Sequence, residues 1–262
     1  MLSLLSIEWL KIKRYRTFWI LSAMFIVLLF LCNWLYSTGI MKLGGPANQI
    51  LNSNYTFPNV WDNVTYFTKL FSGLLAIIIT IITTNEYQFR TNRQNVIDGW
   101  KREQFFQAKW LMVLCMSITV TLYSFLLGMF FGLYNGSPVS GATEHMVKLG
   151  YVFILTMNYF GFALTLSFLI KRSGMTIISF LLYAYVIEGI AYQVLKWKVN
   201  QHAGDFLPME SAANLITFPV MDMARKMMNN EPLASSTLVG MSVGWTIVYY
   251  IFGRIRLLKS DW

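Results

Sequence analysis

The sequence predicts an all-α integral membrane protein, and three observations carry that prediction. Hydrophobic residues fill 56% of the 262 positions against 13% charged, and the mean hydropathy is +0.50, a balance that a water-soluble domain does not show. Six long apolar runs recur along the chain, each near the roughly 20 residues a helix needs to cross a hydrocarbon core about 30 Å thick. The short alternating segments of a membrane β-barrel do not occur. Spanning segments must satisfy their own backbone groups, so these runs are helices.

The elements follow in order. Residues Leu2 to Arg16 interleave Leu4, Leu5, Ile7, Trp9, Leu10 and Ile12 with Glu8, Lys11, Lys13 and Arg14, the pattern of an amphipathic helix lying in the membrane interface over residues 1–16 as a lever or anchor. The first span is Phe18 to Tyr36. Basic residues precede it as in a secretory leader, but its apolar core is longer than a leader's and no small-residue cleavage site follows, so it is expected to be retained. Ser37 to Asn63 holds Gly44, Gly45, Pro46 and Pro58 and reads as an irregular outer loop. Asn54 and Asn63 each begin an Asn-x-Thr triplet, a match too short to carry weight.

The second and third spans, Tyr66 to Thr83 and Trp110 to Tyr134, flank a basic segment at 85–109. The fourth, Val147 to Ile170, and the fifth, Met175 to Leu195, are joined by so few residues that they must be antiparallel neighbours. Residues 196–236 form a long connection in which Gly204, Pro208, Pro219 and Pro232 separate apolar pieces too short to cross a bilayer. It is expected to cap the bundle as an outer lid. The sixth span is Thr237 to Phe252. With no internal repeat, residues 1–262 read as one membrane domain.

The net charge is +9. Most of the 21 Lys and Arg residues fall in segments that share one side if both termini are cytoplasmic, among them Lys11, Lys13, Arg14, Arg16, Arg90, Arg93, Lys101 and Arg102. The excess therefore reads as topology in the cytoplasmic membrane and contact with anionic headgroups. Basic residues dispersed in this way do not make a nucleic-acid face.

Several chemistries are closed off. Cys32 and Cys115 sit in apolar spans and give no disulfide framework. Two histidines, His145 and His202, cannot build HExxH or zinc-finger spacings, and no metal site is expected. Gly240-Met-Ser-Val-Gly244 matches the nucleophile pattern GxSxG, but inside an apolar helix with both histidines in outer loops it lacks the strand-to-helix turn and the base. Read instead as glycines four apart, Gly240 and Gly244 offer a smooth packing face, as do Gly128 and Gly132. Met221, Met223, Met227 and Met228, with Met209, are spaced as thioether ligands of Cu(I) can be, yet without a cysteine or histidine pattern they read as gap fillers.

Glu188 is the one acidic residue deep in a span. An ionised carboxylate there is costly, by roughly 3 kcal/mol, so it should face the bundle interior, a water-filled path or a cationic partner, or else be protonated. A proton relay or substrate contact is one reading. A hydrogen-bonded structural residue is favoured, because no second intramembrane ionisable group is evident, and Asn158 and Gln193 are candidate polar neighbours.

In the 85–109 segment, Thr91 or Asn92 can cap a short helix from Arg93 to Asp98 that Gly99 ends. A second helix begins near Arg102 and runs through Phe105, Phe106 and Lys109 into the third span. The resulting elbow would present Val96, Ile97 and Trp100 to a partner or to headgroups.

The pattern of Glu86, Arg90-Thr91, Gly99, Arg102 and Lys109 resembles the loop between the second and third spans of type-2 ABC exporter permeases, as does the layout of interfacial helix, six spans and outer loop. Trp100-Lys101 departs from the small residue or proline that relatives often carry there. The resemblance implies that the loop is a coupling helix seated in a cleft of a separate ATPase, with Glu86, Arg90, Thr91, Arg93, Asn95, Asp98, Gly99 and Arg102 as coupling residues. It also implies two ATPase copies, which would hold ATP and Mg, and a second permease copy or paralogue beside this one. No GxxxxGK[ST] loop occurs in the sequence, so ATP must be hydrolysed on another chain. The expected function is export of an amphipathic or apolar substrate such as an antimicrobial peptide, drug or lipid. The alternative is a non-transporting scaffold or sensor that docks a cytoplasmic protein. A membrane enzyme is disfavoured, because only Glu188 is available as an acid at depth.

Overall fold

The computed structural model describes residues 2–40, 55–91, 94, 97, 99–218 and 233–259. Among them are an N-terminal helix α1 (Leu2–Ile12), then α2 (Arg16–Ser37), α3 (Val60–Gln88), α4 (Arg102–Tyr134), α5 (Val147–Ile170), α6 (Ser173–Lys198), the short α7 (Glu210–Ala213) and α8 (Ser235–Lys259). Six of these, α2 to α6 and α8, are long and apolar enough to cross a membrane, the six spans that the sequence predicts. No described residue is in a strand.

Several helices outrun their apolar stretches. α3 starts at Val60 rather than near Tyr66 because Trp61 is fully buried and its indole Nε1 donates to the Ala142 carbonyl at 2.9 Å. α4 starts at Arg102, before the apolar run, with its first turn capped where Gln104 Oε1 accepts from the Lys101 backbone N–H at 2.9 Å. Asn63 lies fully buried within α3, where no glycan fits; Asn54 is outside the described residues.

α3 and α5 form the interior of the bundle: 67% and 61% of their apolar windows are buried, against 17%, 17% and 22% for the outlying α2, α6 and α8. Many of the hydroxyls inside this core donate to carbonyls of their own helices. Thr65 donates to Trp61 O at 2.7 Å, Thr68 to Val64 O at 2.8 Å and Thr165 to Gly161 O at 2.8 Å, while Thr68 and Ser124 share a bond of 2.9 Å between α3 and α4. This is how polar side chains survive where no water reaches.

The two glycine pairs differ. A Cβ on Gly128 or Gly132 would lie 2.3 Å from the rings of Trp61 and Phe57, so these glycines make room for aromatic side chains. A Cβ on Gly240 or Gly244 would meet nothing within 4 Å; their face is open in the protomer. α5 ends at Lys171, which takes the left-handed conformation (φ 58°) usually left to glycine, and α6 returns antiparallel beside α3 and α5. Within α6 the backbone widens to a π-turn over Tyr183–Ile187, immediately before Glu188.

Candidate functional site

Two arrangements of charge mark opposite ends of the bundle. At the end carrying α1, the Lys109 ammonium is fully buried one helical stretch into α4, with two carboxylates around it. Glu8 of α1 approaches through Oε2 at 2.6 Å, and Glu86 of α3 contacts it through Oε1. Lys11, at the rim, reaches Glu8 and Glu86 at 3.3 Å each. Two acids and two bases from three helices thus form one neutral knot. Burial by itself would raise the Glu8 carboxyl, but the charges of Lys109 and Lys11 and their hydrogen bonds outweigh it and hold the group below its ordinary value.

The knot draws an acidic residue of α1 into the bundle. Glu8 and Ile12 point inward onto the bundle, while Trp9 and Leu10 are about half exposed, at 50% and 53%. An acidic residue on an amphipathic helix is ordinarily a solvated one, so the sequence offered no local signal that Glu8 would be buried. Its partner Lys109 lies on the helix expected to run from near Arg102 into the third span, but nothing in the sequence pairs it with α1. Asn85 Nδ2 adds a bond to the Tyr15 hydroxyl at 3.0 Å, tying the turn after α1 to the end of α3.

Glu86, expected on the docking loop, is therefore a buried member of this knot, 6% exposed. The rest of the elbow is outside it. Arg90 ends α3 in the left-handed conformation (φ 56°) and is exposed, and Thr91 Oγ1 contacts the Glu86 carbonyl at 3.4 Å. Thr91, Gln94 and Ile97 have helical backbone, and Gly99 follows at φ 93°. Asn92, Arg93, Asn95, Val96 and Asp98 lie outside the described residues. Phe89 and Ile97 are 73% and 82% exposed, whereas Trp100 is half-buried with Lys11 Nζ 5.8 Å from its ring centre. Arg102 donates to the Leu258 carbonyl at 2.9 Å, and Arg254 contacts Glu103 at 3.0 Å, so the start of α4 is bound to the end of α8. The elbow springs from α3 and α4 where those helices are fastened to α1 and α8.

At the other end, Glu188 is 1% exposed and its Oε1 accepts from the backbone N–H groups of Met209 at 2.6 Å and Glu210 at 3.0 Å. It caps α7. The opposite end of α7 is held by Lys69 of α3, whose Nζ donates to the carbonyls of Ala213 at 2.6 Å and Ile216 at 2.9 Å. A carboxylate at a helix N-terminus and an ammonium at its C-terminus both complement the helix dipole. The expectation that no second intramembrane ionisable group exists is corrected here: Lys69 lies inside the α3 span, and its role was hidden because it meets Glu188 only through the intervening helix.

The named neighbours of Glu188 are not its partners. Asn158 Nδ2 donates to the Ser242 carbonyl at 3.4 Å, and Gln193 is exposed. Ser242, the serine of the GxSxG pattern, is buried and bonds Ser211 of α7 at 3.2 Å. Met209 is buried in the core, and the other four methionines lie outside the described residues. No three His, Cys, Asp or Glu side chains among the described residues converge as a metal site.

A family model described as ABC-2 family transporter protein matches residues 4–191, from α1 through most of α6. The chain belongs to the ABC-2 transporter family. It is a multi-pass membrane permease subunit, and the knot lies wholly inside the matched region, while α7 and α8 lie beyond it. No curated protein matches this permease.

Proposed function

We propose that this permease is the membrane half of an ATP-driven exporter, working as a pair with two ATPase subunits in the cytoplasmic membrane, both termini cytoplasmic. The observation that carries the reading is the buried knot of Glu8, Glu86, Lys109 and Lys11. It joins α1 and the two helices that bear the elbow, so a displacement of the elbow must move all three together. The exposed Phe89, Arg90 and Ile97 are the docking face for the ATPase. ATP and Mg belong to that partner. At the far end, the clamp of Glu188 and Lys69 on α7 holds the outer lid closed until the helices move. The cargo is amphipathic or apolar, an antimicrobial peptide, drug or lipid, because the interior charges are already engaged with one another or with the lid.

Co-expression with the ATPase tests the reading. The wild type should carry an ATPase through purification, and Arg90→Glu with Ile97→Glu should lose it while the permease stays folded. Stable folded permease with no nucleotide-binding partner under any condition would instead support a scaffold or sensor.

A further inference from the structure

A groove of about 450 Å³ opens between α1, α2 and α4, within the size range of small-ligand sites. Trp9 and Ile12 of α1, Phe18 and Ser22 of α2, and Met116 and Thr119 of α4 form its walls, with Leu75 of α3 behind them. Deeper in the bilayer, Tyr123 donates to the Ile26 carbonyl at 2.9 Å where α4 and α2 meet. The slot offers almost nothing polar. Thr119 directs its hydroxyl to the Cys115 carbonyl at 2.8 Å, and the Glu8 carboxylate beside it is held by Lys109 and Lys11.

The mouth is different. Lys13, Arg14 and Arg16, on and beside the turn between α1 and α2, are exposed and make no ion pair among the described residues. Trp19 joins slot to mouth: it lines the groove, and its Nε1 donates to the Lys13 carbonyl at 2.9 Å. Trp9, Phe18 and Trp19 meet edge to face at 5.4–6.4 Å, aromatic side chains where an interface belt would stand.

We infer that the groove holds one acyl chain of an anionic phospholipid from the leaflet beside α1, with its phosphate on Lys13, Arg14 and Arg16. An extended peptide segment would leave its backbone groups unpaired in so apolar a slot, and a zwitterionic lipid would fill the slot but cancel its attraction to the mouth. The bound chain fills the space between α1 and α4 beside the Glu8–Lys109 pair, so the lipid braces the same joint that the knot fastens.

Native mass spectrometry of the full chain, delipidated in mild detergent and titrated with phosphatidylglycerol or phosphatidylcholine of matched chains, tests it. Basic residues at a membrane surface attract anionic lipid, an attraction that salt screens, so the wild type should prefer phosphatidylglycerol on the order of tenfold. The triple variant Lys13→Gln, Arg14→Gln, Arg16→Gln should bind both lipids equally. Ser22→Trp, which fills the slot, should bind neither at this site while unfolding at the wild-type temperature. If that variant does not fold, Thr119→Phe fills the slot from the α4 side and is read in the same way. Glycerol phosphate, a headgroup without a chain, should not compete. Equal affinity of the wild type for the two lipids, undiminished lipid binding by the slot-filled protein, or a disulfide between Ser22→Cys copies showing the groove covered by a second chain would each overturn the assignment.

Discussion

Replacing Lys109 with Met isolates the knot. The substitution keeps the unbranched apolar stem of the side chain but leaves Glu8 and Glu86, 1% and 6% exposed, facing each other without the ammonium between them. Removing one partner of a buried ion pair costs about 3–5 kcal/mol. Lys11 remains at 3.3 Å from both carboxylates and still partly compensates them, although at 30% exposure its attraction is screened, so the lower half of that range applies. At roughly 2–4 °C per kcal/mol for a chain of this size, Lys109→Met should lower the midpoint of thermal unfolding in detergent by roughly 6–15 °C. The triple variant Glu8→Gln, Glu86→Gln, Lys109→Met removes the charges together and should recover most of the loss, because a buried pair exchanged for neutral groups is often no worse than the pair. In proteoliposomes with the ATPase, the single and triple variants should both hydrolyse ATP with weakened dependence on cargo, because the joint is soft in each. Fluorescence-detected size exclusion after heating gives the midpoint. A single variant as stable as the wild type, or a triple variant no more stable than the single, would refute the view that Lys109 is the keystone.

Three further outcomes follow from the same geometry. Because the Glu8 carboxyl is held below its ordinary value of 4.5, its contribution is complete above that pH and lost as pH falls through the lowered value; unfolding temperature should be level from neutral pH to about 5 and fall below about 4, less steeply in Glu8→Gln. Lys69→Met removes the donor to the last carbonyls of α7, and Glu188→Ala the cap at its start at a cost of about 0.5–2 kcal/mol; each should speed labelling of a cysteine placed at Ala212, buried in the wild type, by an impermeant maleimide. Gly128→Ala forces a Cβ to within 2.3 Å of the Trp61 ring and should cost about 1–3 kcal/mol by overpacking, while Gly240→Ala, with open space around it, should leave the unfolding temperature of the protomer unchanged.

The spans were legible because burial in lipid imposes length and hydropathy on each helix separately. Their ends were legible only in part: the helix expected to begin near Arg102 does so, but Val60 starts α3 in polar sequence, since Trp61 finds a partner far along the chain that makes burial affordable. The elbow was readable at Gly99, where a positive φ calls for glycine, but not at Arg90, and the turn from α5 to α6 was not readable at Lys171; both take the same conformation without a glycine. Glu188 announced itself as an acid in an apolar run. Its partners are backbone N–H groups of Met209 and Glu210, and backbone donors are the same for every residue, so no pattern could point to them.

The sequence by itself determined that this is a bundle of six membrane-crossing helices with a basic elbow between the second and third, because the cost of exposing charge or unpaired backbone to lipid acts locally and writes itself into every window of the chain. Only the tertiary structure decided which charges meet. Glu8, Glu86 and Lys109 read as ordinary surface residues one at a time, and become a buried joint because the turn after α1 and the packing of α3 against α4 bring three separate helices to one point, where each charge is tolerable only in the presence of the others.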